Sequence, residues 1–473
     1  MNYLNTGKVD KPILSLYAFH LRNSLEGNNK TVENANYLWD KIQEVITLTG
    51  ITKLENLPQL IADNEKNNQL NQDGRLIKDN LIYDTKQNNL KLRIGINPLK
   101  FHDTYAADLT LAYPLQGVKL RDLSGLNPDN CLLTQNINSS LGQTLVFIAQ
   151  PSELIENEES LQKFADACLT ALLTADKVQE LKIKFQDKGK LLGSPIFEYN
   201  NNADSPQEQC HILIWLKTNP EITNQEKLIE SYYPLIELLL CRSKIVYARN
   251  EAILYNQEAR DIYAELVSKV KTFNSIPNEE INSFDDENSR LNELKQWVRN
   301  TPDKFFKYAH NIGCLKDHKT TIRTNTINYQ LNFEKIRKLY NQDDLKFLSA
   351  FLKLTKSKYI QQITIDLEYL ISGQELFEYL AKIIRRIVEI EEVERDRSLE
   401  RTIQVFGVAL GTGAIVGGVV TQHIDKPVKP INFKYPVHPI VSSLFWSVLA
   451  TISAGFLTWV LTKRKVKNSN TLK

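Results

Sequence analysis

Apolar residues recur with two different periods along this chain, and the change of period near residue 218 divides it. Before that point Leu90, Leu92, Ile94 and Ile96 alternate with Lys91 and Arg93, the period of a strand with one face buried. Further strand-like runs cover residues 13–21, 108–113, 144–150 and 181–185. Residues 195–199 and 211–216 predict a hairpin around the polar stretch 200–209. Between them, Leu38, Ile42, Val45 and Ile46 fall on one face of a helix over 32–48. Leu154, Leu161, Phe164, Cys168 and Leu172 do the same over 153–174. Residues 1–218 are therefore expected to form an α+β domain. The Asn/Gln-rich segment 64–89 reads as a loop or a poorly ordered insertion.

After Asn219-Pro220 the strand period stops, and residues 219–401 are expected to be a helical, coiled-coil stalk region. A long amphipathic helix is predicted over 225–273, interrupted at most near Pro234, followed by a polar linker at 275–288. Helices resume over 289–312 and, after a loop at 316–328, over 333–354. Leu376, Leu380, Ile383, Ile387 and Ile390 step by four, three, four and three, the spacing of a coiled-coil or bundle seam. No helix breaker separates that seam from the apolar stretch beyond it, so one helix from about residue 375 to 424 is expected to form a stalk.

Residues 402–424 hold no Asp, Glu, Lys or Arg, and neither do residues 439–462. Each is long enough, at about 1.5 Å per residue, to cross a hydrocarbon core about 30 Å thick. Together they predict a transmembrane hairpin over 402–462, with a Pro-rich loop at 425–438 and a basic tail at 463–473. The positively charged flanks give its direction. Arg385, Arg386, Arg395, Arg397 and Arg401 precede the first span, and Lys463, Arg464, Lys465, Lys467 and Lys473 follow the second. The loop has only Lys426, Lys429 and Lys434. Both termini are thus expected in the cytoplasm of a cell (inner or plasma-type) membrane, with membrane lipid as one partner.

Charge and cysteine content agree with this division. Residues 402–473 carry a net +7, against +2 for the whole chain, which leaves −5 for residues 1–401. A mildly acidic body with a basic tail does not suit a nucleic-acid binder, whose cations line a folded face with aromatics between them. The N-terminus has no signal-peptide pattern. Cys131, Cys168, Cys210, Cys241 and Cys314 are odd in number and widely spaced, which fits buried thiols in a reducing compartment.

The motifs offer no enzyme: G-x-S-x-G, the Walker glycine loop and H-E-x-x-H are all absent. Gly407, Gly411, Thr412, Gly413, Gly417 and Gly418 lie in the first apolar segment. A dinucleotide-binding turn needs a soluble βαβ unit around it, and small-residue helix packing is the better account. Such a segment either lines a narrow pore through its backbone and the Thr412 hydroxyl or joins neighbouring spans. The first segment holds no ionised side chain, which argues against a pump. For metals, Asp285-Asp286-Glu287 and Asp343-Asp344 supply oxygen ligands, although solvated charge is the simpler reading. Cys210-His211, His20 and His102 lack neighbouring ligands, so the metal site is unassigned and no organic cofactor is expected.

An α+β domain, long helices, a stalk running into the first of two spans, a short loop and a basic tail resemble the CorA-like two-transmembrane family of divalent cation channels. The resemblance is architectural and rests mainly on residues 220–473. It implies a homo-oligomer, a pentamer in that family, with the first span around a central pore and a divalent cation as the conducted ion. The family's Gly-Met-Asn filter is absent. Its place is taken by Val420-Thr421-Gln422-His423-Ile424-Asp425, and Met1 is the only methionine. The sequence thus predicts an oligomeric channel or regulated membrane effector with a cytosolic sensing domain. The alternative is a non-conducting, membrane-tethered scaffold, and an enzyme with an unrecognised site comes third.

Overall fold

The computed structural model describes residues 3–23, 31–51, 56–66, 74–77, 81–87, 89–218, 225–274 and 284–391. In chain order the elements begin with α1 (Tyr3–Thr6), β1 (Lys8–Leu21), α2 (Tyr37–Leu48), α3 (Leu57–Lys66), β2 (Leu81–Gln87), β3 (Leu90–Phe101), β4 (Thr104–Ala112) and β5 (Val118–Lys119). Next come α4 (Thr134–Ile137), β6 (Gln143–Pro151), α5 (Glu158–Leu173), α6 (Ala175–Glu180), β7 (Lys184–Leu191), β8 (Ser194–Asn200) and β9 (Cys210–Leu216). The chain continues as α7 (Gln225–Asn274), α8 (Phe284–Leu339), α9 (Lys346–Leu354), a π-helical turn (Thr355–Tyr359) and α10 (Ile360–Glu391).

The strands form one mixed sheet in the order β2-β3-β4-β1-β6-β9-β8-β7, with β5 on the first residues of β1. All pairs are antiparallel except β6 with β9. Helices cover both faces, which explains why β1 and β9 are apolar runs and not simple alternations. Leu14, Leu16 and Ala18 of β1 enter a core shared with α2 and α5, while Tyr17 and Phe19 enter a second core with α7, α8 and α9. The α/β unit therefore takes its second layer from helices that the sequence placed in a stalk. The described residues divide into those up to 251 with 318–362 and those of 252–317 with 363–391, so the compact sheet unit extends past 218.

Two other expectations change. Segment 64–89 contains the end of α3 and the edge strand β2, paired with β3 from Leu81↔Ile96 to Gln87↔Leu90. Lys91 and Arg93 reach Asp84 across that pair at 2.7 and 2.9 Å. The loop expected at 316–328 is a continuous part of α8. Its Thr, Asn and His content is poor in helix propensity, yet Leu315, His318, Ile322, Thr326 and Tyr329 repeat every three or four residues and are all buried. Packing outweighs local preference there. Helix α7 also continues through Pro234, and the helix expected over 333–354 is split between the end of α8 and α9.

The β7–β8 hairpin turns on Leu192 and Gly193, both at positive φ (49° and 76°). Asp343 holds it: its two carboxylate oxygens accept the Leu192 and Gly193 amides at 2.7 and 2.6 Å. The Lys190 amide donates to the Asp344 carbonyl at 2.7 Å. Gly189 permits this approach, because an added Cβ would overlap that carbonyl oxygen and crowd the Phe347 ring. Gly189→Ala is expected to lower stability by roughly 1–3 kcal/mol through overpacking, read as a lower urea midpoint. An unchanged midpoint would show that α9 shifts freely from β7.

In the second unit, Phe377 of α10 packs on Phe305 and Tyr308 of α8, at centroid distances of 5.5 and 5.1 Å. The Tyr308 hydroxyl donates to the Leu370 carbonyl at 2.5 Å. Arg260 of α7 donates to Asp366 at 3.2 Å. Gly373 sits under Tyr308 and Tyr263, where no Cβ fits.

Candidate functional site

Gly407, Gly411, Thr412, Gly413, Gly417 and Gly418, with both apolar segments, their loop and the basic tail, lie outside the described residues. Among the described residues no helix is long and apolar enough to cross a membrane. Of the seam, Leu376 is half-buried on α10 and its neighbour Phe377 is the buried residue. Leu380, Ile383, Ile387 and Ile390 fall within the helix, and their side chains lie outside those described. The same holds for Asp285, Asp286 and Glu287 at the start of α8.

The remaining metal candidates have other work. Asp343 caps the hairpin, and Asp344 pairs with Lys346 at 2.8 Å. His20 is satisfied on both nitrogens: Nδ1 accepts the Ser140 amide at 3.1 Å and Nε2 reaches the Asn34 carbonyl at 3.0 Å. His102 is an exposed residue of the β3–β4 turn, at φ 52°. Among the described residues no group of three or more His, Cys, Asp or Glu is arranged to hold a metal ion.

His211 does have partners, which come from distant parts of the chain. Thr144 on β6, His211 on β9 and Glu198 on β8 stand two positions from Val146, Leu213 and Ile196 on the same strands, so all three face the core under α7. Thr144 Oγ1 lies 2.8 Å from His211 Nδ1, and His211 Nε2 lies 3.0 Å from Glu198 Oε1. Burial and, less strongly, the Arg242 charge push His211 down to about 4, so the ring is neutral at neutral pH. Nε2–H then donates to the carboxylate, and Nδ1 accepts the Thr144 hydroxyl proton. Burial works to raise Glu198, but the hydrogen bond from His211 and the Arg242 charge outweigh it and hold the carboxyl low. Arg242 of α7 donates to Gln209 at 2.8 Å and lies 5.2 Å from the Phe351 ring centroid.

Hydroxyl, imidazole and carboxylate in sequence are the residue types of a nucleophile relay. Here the hydroxyl and the imidazole are 1% and 3% exposed, so no substrate can reach them. The arrangement ties three strands together with satisfied polar groups, and Arg242 joins α7 to Gln209 just before β9.

A second polar cluster lies under the same helix. Tyr232 of α7 donates to Asp108 Oδ2 at 2.5 Å and accepts from Asn97 at 2.6 Å. Thr110 reaches Asp108 Oδ1 at 3.1 Å and is itself 2.8 Å from the Ser15 hydroxyl. Burial pushes Asp108 up to about 6 against these hydrogen bonds. On the other face, Glu65 of α3 binds Lys100 at 2.8 Å, Arg22 at 3.2 Å and the Tyr105 hydroxyl. Burial opposes ionisation of Glu65, but the Lys100 and Tyr105 hydrogen bonds and the Lys100 and Arg22 charges hold it low. An open depression of about 750 Å³ beside α2 is lined by Tyr37, Asp40, Lys41, Glu44 and Asn56, with Lys41 already bound to Glu44 at 2.6 Å.

The described residues thus present buried polar ties within the sheet and between it and α7. No protein-family model matches the chain, and no curated protein or solved structure is similar to it.

Proposed function

We propose that the chain is a membrane-anchored homo-oligomer of CorA-like type, in which the α/β unit is a cytoplasmic sensing module coupled through long helices to the glycine-rich first span. The observation that carries this reading is the pair of uncharged segments at 402–424 and 439–462, flanked by ten cations against three in the loop. Supporting it, α10 as described reaches Glu391, eleven residues before the first segment, and α7 starts shortly after the last strand. The polar ties under α7 suit a coupling element, since they fix that helix to β3, β4 and the segment before β9. The missing filter tripeptide favours an effector over a magnesium-selective channel, and equally keeps a non-conducting scaffold as the second reading.

The full chain is expected to remain with the bilayer after alkaline carbonate washing, and a variant lacking residues 402–462 to be released. Release of the full chain would end the membrane reading. In liposomes, Gly411→Leu and Gly417→Leu are expected to abolish ion flux while leaving insertion intact, because a bulky side chain obstructs or splays close-packed helices. Absence of flux from the unaltered protein would leave the scaffold reading in place.

A further inference from the structure

The part of the sheet unit formed by residues 318–362 is strongly basic, with nine Lys and Arg against three acids. Two of those acids are engaged locally, Glu334 with Arg337 at 2.5 Å and Asp344 with Lys346 at 2.8 Å, and the third, Asp343, caps the hairpin. Arg323, Lys338, Lys353 and Lys358 are exposed and have no ion pair among the described residues. Lys356 reaches only the neutral Gln330 of α8, at 2.7 Å, which sets the π-helical turn beside α8. Aliphatic residues sit among these cations: Ile327 and Leu331 on α8 are 61% and 57% exposed, and Leu354 is 38% exposed.

The same unit has a counterpart. Residues 153–159, leading into α5, carry four glutamates and no cation. Glu153 and Glu156 have no ion pair among the described residues, and Leu154 between them is 83% exposed, the most exposed large apolar residue described. Glu158 pairs with Lys188 of β7 at 3.4 Å, and α9 packs on the same strand at Gly189. An acidic segment with a protruding leucine and a basic face with exposed aliphatic side chains therefore flank one edge strand.

Opposite charges with apolar residues between them are the composition of a protein contact. We propose that the basic face of α8, α9 and the π-helical turn docks on residues 153–159 of a second copy of this chain. The inference rests on the oligomeric reading above and names one of its contacts. Nucleic acid is disfavoured because the exposed apolar residues are aliphatic and offer no base-stacking surface. An anionic bilayer would take the cations but leaves the matching acidic segment unexplained.

The test is the mass of the full chain in nanodiscs by light scattering, with two charge exchanges. One is Lys353→Glu with Lys356→Glu and Lys358→Glu, and the other is Glu153→Lys with Glu156→Lys. Each alone is expected to weaken assembly at least tenfold, and the two combined to restore it. Leu154→Asp, which breaks no ion pair, is expected to weaken it as well. All these side chains are exposed, so the thermal transition should not move. Wild-type mass in either exchange variant, or no restoration in the combined one, overturns the proposal while leaving the oligomer standing. A wild-type protein that is monomeric throughout ends both. An assembled variant with Lys353, Lys356 and Lys358 exchanged that loses binding to phosphatidylserine vesicles assigns the face to lipid and overturns the contact.

Discussion

Arg242→Met is expected to destabilise the sheet unit by about 3 kcal/mol, the low end of the cost of leaving a buried charge without a nearby opposite one. The guanidinium is 7% exposed and Glu198 is held ionised partly by it. Methionine fills much of the volume beside Phe351, so packing loss is limited, but a buried carboxylate loses its cation and Gln209 loses its donor. Glu198 keeps the His211 N–H, which is why the low end applies. The check is the urea midpoint of the solubilised chain. Combining Arg242→Met with Glu198→Gln should recover part of the loss, because the uncompensated charge is then gone. Equal midpoints for wild type and Arg242→Met would mean that water solvates Glu198 as well as Arg242 does.

That cluster also marks what local sequence reveals. His211 could be placed on a strand from its apolar neighbours, yet Thr144 and Glu198 are 67 and 13 residues away and meet it only through the sheet order β6-β9-β8. The available signal was Thr144, Glu198 and His211 each taking the polar place in an apolar run that both faces should bury. Strands β1, β3, β4 and β6 and the β8–β9 hairpin were legible because runs and alternations survive without knowledge of partners. Strand β2 was hidden by its Asn/Gln-rich flanks, and the middle of α8 by Thr and Asn residues that local reading assigns to loops. Assigning α7, α8 and α9 to the second sheet face required contacts between residues over a hundred positions apart, such as Tyr232 with Asp108. The glycine-rich segment that the sequence offered as the functional site lies outside the described residues.

Asp108→Asn is expected to steepen the rise of stability with pH between about pH 4 and 6. In the folded chain burial raises Asp108 from 3.8 to about 6, so it binds a proton there that the unfolded chain has lost. Its contribution is therefore full below the unfolded value and falls away as pH rises through 6, leaving a penalty of roughly 3 kcal/mol at neutral pH at most. His211 and His318 act in the opposite sense, since burial lowers both from 6.5 to about 4. Their contribution is full above 6.5 and is lost as pH falls towards 4. In the wild type the Asp108 slope offsets part of the two histidine slopes. Asparagine keeps one acceptor for Tyr232 or Thr110 and removes the charge, though its amide must find an acceptor in the Thr110 hydroxyl, so the gain at pH 8 should be about 1–2 kcal/mol. At pH 4.5 the gain should vanish or turn into a loss, because the folded wild type then holds Asp108 protonated and the substitution relieves no buried charge. Urea midpoints at pH 4.5, 6 and 8 decide it, and an equal shift at all three would show that Asp108 stays ionised throughout and that the Tyr232 and Thr110 hydroxyls suffice to hold its charge.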